Sequence, residues 1–525
     1  MKYFSTRGHP GEQSFEDVVL AGLAPDGGLY IPKDIPTLPE NWRSEWAGLH
    51  YQQLAINILS LFISPDELPP ADLVSLVNKT YTVGPSAFRV PSITPLVQLD
   101  PKIHVLELFH GPTYAFKDLA LQLVGNLFEY FLNRRNSKKS SGEPLEKLTV
   151  VGATSGDTGS AAIYGLRNKA NISVFILFPQ GRVSPIQEAQ MTTVLDENVH
   201  TLSVSGTFDN CQDILKSLLA DKEFNEKHHL GAVNSINWAR ILVQIVYYFS
   251  AYFQLVSSPN VDVDHSEIQF VVPTGNFGDI LAGYYAKRMG LPMGKLGVAT
   301  NSNDILARFW KSGSYQKVDP NAGPVAGGVY ATTSPAMDIT VSSNFERLLW
   351  YLTYEKVVQN DEKSKREAAC KRVRDWMMAI KSRGTVDLSA VLEVARRDFV
   401  ADKANDEQTV AIIRKYYETR AYLVDPHTAV GLHAAEAFAK SNSAATVQVI
   451  LSTAHPAKFA EAVQRAHPSF DPETVFGGLL SCERRVQAIV GAEEELTGLV
   501  RNAIDEVASR QHWRNRVEVA KGREV

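Results

Sequence analysis

Lys117 lies where a lysine is costly. It sits in "HGPTYAFKDLALQ", His110 to Gln122, among apolar, aromatic and small residues. An ammonium group drawn out of water pays a desolvation penalty, and its pKa falls toward the range where the amine is neutral. A neutral amine attacks carbonyl carbon and removes protons from carbon acids. Two further stretches, "GATSGDTGSAA" and "PTGNFGDILAG", place glycines and small hydroxyls where a helix begins. Backbone N–H groups and the positive end of the helix dipole favour anions there. A single such turn is explained as readily by tight geometry alone. Two of them with a buried lysine point to a phosphorylated carbonyl cofactor and an acidic substrate. Pyridoxal phosphate supplies an aldehyde for Lys117 and a phosphate for one turn. Nucleotide binding fits less well. Gly152, Gly156 and Gly159 lack the GxGxxG spacing, and no GxxxxGK string followed by Ser or Thr is present.

The elements around these residues alternate. "KLTVVGATSGDTGSAAIYGLRN" reads as a buried strand, a turn and a helix, and "NISVFILFPQG" as another strand. "VHTLSVSG" and "TFDNCQDILKSLLAD" continue the pattern, as do "IQFVVPTGNFGDILAGYYAKRMG" and "KLGVATN". "TVQVILSTAHPAKFAEAVQRA" is a late core strand ending in a polar turn. The short strand "IHVLELF" leads into the lysine segment, and "DLALQLVGNLFEYFLNRR" after it has helical spacing. Strands alternating with helices predict a parallel, doubly wound α/β architecture. The first hundred residues read as a separate unit. Residues of about 341–420 read as a charged helical insertion, and "RRNSKK" (Arg134–Lys139) as an exposed loop.

Composition excludes several classes. The 525 residues are 44% hydrophobic and 21% charged, with net charge −5, which gives no argument for nucleic acid or an anionic membrane. Three cysteines, with no CxxC pair, predict neither a disulfide framework nor a zinc site and suit a reducing compartment. "MKYFSTRGHPGEQSFED" has no apolar core and is not a secretory signal. "ILVQIVYYFSAYFQLV" (Ile241–Val256) is short for a membrane span, contains two glutamines and a serine, and is expected as a buried helix. A cytoplasmic protein is expected. His455, His427 and His433 have no metal-ligand partners at suitable spacing, Asp425–Pro426 is a good helix start, and no metal is expected.

Taken in order, "STRG", "HGPTYAFKDLALQ", "TSGDTG", "NSINWARI", "GNFGD", "TTSPAMDITVSSNFERLLW" and "LSTAHPAKF" resemble the threonine synthase family, in the longer branch of fungi and many bacteria. The likeness runs from Ser5 to the region of Phe459. It implies a fold type II pyridoxal-phosphate enzyme of the tryptophan synthase β-like kind. The implied division is an N-terminal domain at 1–98, a large cofactor domain at 99–117 and 256–525, and a small α/β domain at 118–255. The implied reaction converts O-phospho-L-homoserine and water to L-threonine and phosphate. Whether the chain is a monomer or a homodimer stays open.

The resemblance assigns roles residue by residue. Lys117 links to the cofactor and moves protons. Gly275, Asn276, Phe277, Gly278 and Asp279 hold the cofactor phosphate. Thr154, Ser155, Gly156 and Thr158 receive the substrate carboxylate, with Asp157 near the cofactor's phenolic oxygen. Many relatives have Asn at that position. A carboxylate there repels a phenolate unless a proton is shared, so either Asp157 is protonated or the loop sits differently. Thr453 faces the ring nitrogen, where a hydroxyl tempers the ring as an electron sink. Asn234, Ser235 and Arg240 grip the substrate phosphate, and a planar guanidinium suits two phosphate oxygens. Two other readings remain: a related phospho-lyase or hydroxy-amino-acid dehydratase releasing a keto acid and ammonia, and a non-catalytic binding protein, against which the presence of Lys117 argues.

Overall fold

The structure is a computed structural model describing residues 1–259, 261–262, 265–318, 328–359 and 361–521. Residues 522–525, the end of the expected large domain, lie outside the described residues. The chain forms two compact units, Met1–Leu127 with Ser235–Gly477 and Phe128–Asn234 with Gly478–Val525.

The first unit is built on a six-stranded sheet. Strand Thr446–Ser452 is buried along its whole length and lies between Ile103–Glu107 and Glu267–Pro273, parallel to both. Its sequence, "TVQVILS", is nearly continuous in apolar residues, as a strand covered on both faces requires. Leu296–Thr300 and Phe399–Lys403 extend the parallel order on one side, and Leu96–Asp100 closes the other edge antiparallel. The five parallel strands therefore end along one edge, which is where open α/β sheets bind ligands. Helix Pro426–Ala439 covers one face through Ala429, Val430 and Leu432, packed with Val105, Val271 and Ile450. Helix Trp238–Val256 packs against helices Gly278–Met289 and Tyr51–Phe62. Its length and apolarity would suffice to cross a membrane, but 89% of the qualifying window is buried inside the protein, so it is a core helix. The "STRG" segment is anchored by Arg7, which grips Glu346 through two bonds of 2.9 and 2.7 Å, while Thr6 donates to the same carboxylate at 2.6 Å.

The second unit carries a five-stranded, all-parallel sheet in the order Gln487–Ile489, Val199–Val204, Ile172–Pro179, Leu148–Ala153, Leu230–Ala232. Its core joins Val151, Phe175 and Leu202 to Ile214, Leu496 and Val500.

Three features differ from the expectations. The compact units divide near 127, 234 and 477 rather than at 98, 118 and 255. Helix Lys117–Asn136 runs through the first of these divisions. Helix Trp238–Val256 belongs with the first unit because that unit buries it, and the last stretch joins the second unit because Gln487–Ile489 pairs with Val199–Val204. The region 341–420 is not wholly helical. Phe399–Lys403 is the edge strand of the large sheet, and Thr385–Asp387 pairs with Ser314–Gln316. The charges that made "FVADK" look unlike a strand are what an edge strand tolerates. "RRNSKK" is only partly a loop. Arg134 and Arg135 close the helix, Arg134 lies 5.1 Å from the Phe131 ring, and Arg135 pairs with Glu146 at 3.6 Å. Cations at a helix C-terminus offset its dipole.

Candidate active site

Lys117 is the first residue of its helix and is only 8% exposed. The loop before it is stitched to the end of strand Thr446–Ser452. The N–H of Leu108 donates to the Ser452 carbonyl at 3.0 Å, that of Phe116 to Thr453 at 2.8 Å, and that of His455 to Tyr114 at 3.0 Å. Lys117 and the buried Thr453 are thereby brought together at the sheet's C-terminal edge. The next residue, Asp118, shapes the loop from inside. It accepts from the Thr113 N–H at 2.7 Å and the Thr113 hydroxyl at 2.8 Å. Burial pushes its pKa up to about 6, against the opposing pull of those donors and of Lys458 and Arg89. A Cβ at Gly111 would lie 2.4 Å from that of Asp118, so only glycine fits there. Lys458 donates to the Thr113 carbonyl at 2.7 Å, and Arg89 donates to Gly111 and Pro112 with its guanidinium 3.5 Å from the Tyr114 ring. None of Asp118, Thr113, Gly111, Lys458 and Arg89 was assigned from sequence, although Asp118 and Lys458 are buried charges inside the motifs "HGPTYAFKDLALQ" and "LSTAHPAKF".

His427 and His455 have partners within the fold. His427 Nε2 accepts from the Ala336 N–H at 3.1 Å, so its proton sits on Nδ1, which donates to Asp425 at 2.8 Å. Asp425 also caps helix Pro426–Ala439. His455 accepts from Ala457 at 3.2 Å, and burial pushes its pKa down to about 4, so it is neutral.

Gly275–Asp279 follows strand Glu267–Pro273 and opens helix Gly278–Met289. Phe277 adopts φ 63°, and no side chain caps the helix, which leaves its first N–H groups for an anion. The Asp279 carboxyl does not serve that end. It is turned to helix Trp238–Val256, accepting from the hydroxyls of Tyr247 at 2.5 Å and Tyr248 at 3.0 Å. Burial pushes its pKa up to about 7 from an ordinary 3.8, in spite of those two donors. Because the folded value is raised, the stability contributed by the bound proton is full below about pH 4 and is lost as pH rises through 7. Asp279→Asn should remove this loss, worth up to about 4 kcal/mol at pH 8. Denaturant melts at pH 4.5 and 8 check it: the variant's gain over wild type should appear at the higher pH.

The turn Ser342–Asn344, quoted in the sequence but given no role there, meets this loop. The Ser342 hydroxyl donates to the Gly275 carbonyl at 2.6 Å. The Ser343 hydroxyl lies 3.2 Å from Asn276 Oδ1 and 3.1 Å from the Ser235 hydroxyl. Ser235 and Asn276 are thus brought together. Arg240, in the first turn of helix Trp238–Val256, is 4% exposed, and its Nε and Nη1 have no partner among the described residues. Burial alone acts on it, lowering its pKa to about 10, so it stays charged at neutral pH. A buried cation without an anion costs several kcal/mol.

In the second unit, Thr154–Gly159 links strand Leu148–Ala153 to helix Asp157–Leu166. The Thr154 hydroxyl oxygen faces inward, accepting from the N–H groups of Gly156 and Gly159 at 2.9 Å each. Ser155 and Thr158 are partly exposed. Asp157 is buried and accepts from Gln187 Nε2 at 2.9 Å. Gly156 has φ 148°, and a Cβ there would lie 2.3 Å from Gln187 Oε1. Gln187 had no signal in the sequence. Asn234 is half-buried at the end of this unit's inner segment, next in the chain to Ser235. The donor set of the first unit fits pyridoxal phosphate and a phosphorylated substrate: a buried lysine, an uncapped helix N-terminus and a guanidinium with two nitrogens unpartnered among the described residues.

Three family models match successive parts of the chain: "Threonine synthase N terminus" over residues 2–81, "Pyridoxal-phosphate dependent enzyme" over 87–375, and "Threonine synthase, C-terminal" over 428–500. Threonine synthase of Schizosaccharomyces pombe is 51% identical over 496 residues, 92% of this chain and 94% of the relative. That of Saccharomyces cerevisiae is 51% identical over 96% of this chain and 97% of its own. The crystal structure of threonine synthase from yeast superposes with a TM-score of 0.88 at 50% identity, covering 97% of this chain and 99% of that one. A pyridoxal-phosphate-bound threonine synthase from Brucella melitensis gives 0.82 at 41% identity, covering 96% and 99%.

Proposed function

The chain belongs to the threonine synthase family of pyridoxal-phosphate-dependent enzymes, and from that premise we propose how its residues convert O-phospho-L-homoserine and water to L-threonine and phosphate. When bound, the cofactor supplies an aldehyde that captures the amine and a ring that accepts electron density from Cα. The observation that supports this substrate most directly is Arg240. Its guanidinium is buried with Nε and Nη1 unpartnered among the described residues, and a phosphate monoester provides the missing charge. Asn234 and Ser235 complete that grip. The N-terminus of helix Gly278–Met289, through Gly275, Asn276, Phe277, Gly278 and Asp279, takes the cofactor phosphate by its backbone. The turn of Thr154, Ser155, Gly156 and Thr158 takes the substrate carboxylate, with Asp157 held by Gln187.

Lys117 is the base and acid. It would hold the cofactor through its amine and, once freed, would take one proton from Cα and another from Cβ. Phosphate leaves from Cγ, one of the two protons is delivered to Cγ to make the methyl group, water adds its hydroxyl at Cβ and gives its proton to the departing phosphate, and Lys117 returns the other proton to Cα. Its burial keeps competing water from the amine. The three cysteines are free, two of them buried, which suits a reducing cytoplasmic setting. Incubating the pure holoenzyme with O-phospho-L-homoserine should yield L-threonine and phosphate in equal amounts. A keto acid with ammonia as the main product would replace this reading with a phospho-lyase.

Thr453 offers the ring nitrogen a hydroxyl. Thr453→Asp should keep the fold and change the outcome, because a carboxylate holds the ring nitrogen protonated and draws more charge from Cα. Keto-acid formation and transamination should rise relative to threonine, measured by product analysis over a fixed time. An unchanged product ratio would remove Thr453 from the ring nitrogen.

A further inference from the structure

We propose that Asn344 is a positioning residue that locks the substrate-phosphate residues to the cofactor-phosphate loop, so that the two phosphates are held at one spacing. The proposal rests on the assignment of Ser235 to the substrate and of Gly275–Asp279 to the cofactor. Asn344 is fully buried. Its single side-chain NH2 group donates to two carbonyls, Ser235 O and Asn276 O, each at 3.0 Å. Its own N–H donates to Asn276 O as well, at 3.0 Å. One amide therefore bridges a residue of the substrate grip and a residue of the cofactor loop.

The amide is held in turn. Its oxygen accepts from the Arg347 guanidinium, which is also fully buried and donates to Ile236 O at 2.6 Å and Tyr30 O at 2.9 Å. This orientation fixes which end of Asn344 points at the two loops, since only the NH2 end can donate. The neighbouring Ser343 hydroxyl spans the same two residues through their side chains, and Ser342 ties Gly275. Three consecutive residues thus join the loops by backbone and side chain. Neither loop can shift without breaking bonds to the turn that joins them.

The expected signature is a joint loss. Asn344→Ala removes the side-chain donor to the Ser235 carbonyl and one of the two Asn344 donors to the Asn276 carbonyl, whose backbone N–H bond remains. It should raise the Kd for pyridoxal phosphate and, at saturating cofactor, the KM for O-phospho-L-homoserine, each by about tenfold or more. Cofactor Kd is read from the visible absorption band in titration of stripped enzyme. Ser343→Ala, which removes one partly exposed hydroxyl, should show the same joint rise at about two- to tenfold and decides the matter if Asn344→Ala does not fold. Arg240→Ala should raise KM and leave cofactor Kd near wild type, because it touches only the substrate side.

The proposal is overturned if the folded variant lowers only the thermal midpoint, with both constants within twofold of wild type. It is also overturned if only one of the two constants moves. The underlying assignment fails separately, through Arg240→Ala with an unchanged KM.

Discussion

Lys117→Ala is expected to give a folded, colourless protein whose turnover of phosphohomoserine falls by at least about 10²–10⁴-fold, the range a lost general acid–base contributes. The larger end applies because the same amine does three jobs. In the proposed function it would hold the cofactor, give way to the substrate amine, and move protons at neighbouring carbons. Its place at the head of helix Lys117–Asn136 bears on the magnitude. The loop before it is fixed by Asp118, Thr113 and Lys458, and none of those contacts uses the Lys117 amine. Borohydride reduction of the wild-type holoenzyme followed by peptide mapping should put the cofactor on the Lys117 peptide. A label on another lysine, or an active Lys117→Ala, would end this account.

Arg240→Ala should lower kcat/KM for phosphohomoserine by roughly 10- to 150-fold, from the loss of a charge-assisted contact of about 1.5–3 kcal/mol. Arg240→Lys should recover only part, since an ammonium cannot make the two-pronged contact. The buried setting adds a second expectation with the opposite sign. Replacing an uncompensated buried cation by an apolar side chain of similar volume stabilises the fold by about 1–4 kcal/mol by analogy with buried ion pairs. Arg240→Met should thus raise the thermal midpoint of the free enzyme while losing activity, the trade expected of a binding residue. Calorimetry and steady-state kinetics on the same preparations check both. A fall in both stability and cofactor content would make Arg240 structural.

What could be read from the chain were features whose cost shows in a residue type. Lys117 and the two glycine turns are expensive or special wherever they occur, so the buried setting of the lysine and the strand–turn–helix form of both turns were legible in the sequence. The buried strand "TVQVILS" and the apolar helix Trp238–Val256 were legible for the same reason, since long apolar runs have few uses. Asp279 was harder. Its place after "GNFG" suggested the cofactor, but its carboxyl direction is set by Tyr247 and Tyr248, which lie 32 and 31 residues earlier. Asn344 and Gln187 were silent because an amide is common at surfaces and marks nothing until its partners are known. Phe399–Lys403 was missed because an edge strand carries charge. The unit boundaries were missed because a long helix runs through one of them with no break in its pattern.

The strand order of the first unit also shapes how the protein is made. Thr446–Ser452 occupies the middle of the sheet, yet it pairs with Ile103–Glu107, made more than three hundred residues earlier. In the second unit, Gln487–Ile489 completes a sheet whose other strands end at Ala232. Until the ribosome reaches these late segments, Ile103–Glu107, Glu267–Pro273 and Val199–Val204 each present an unpaired edge. Such edges invite pairing with other nascent chains. The facing edges of Ile103–Glu107 and Glu267–Pro273 therefore stay open until residue 446 has been made, and that of Val199–Val204 until residue 487.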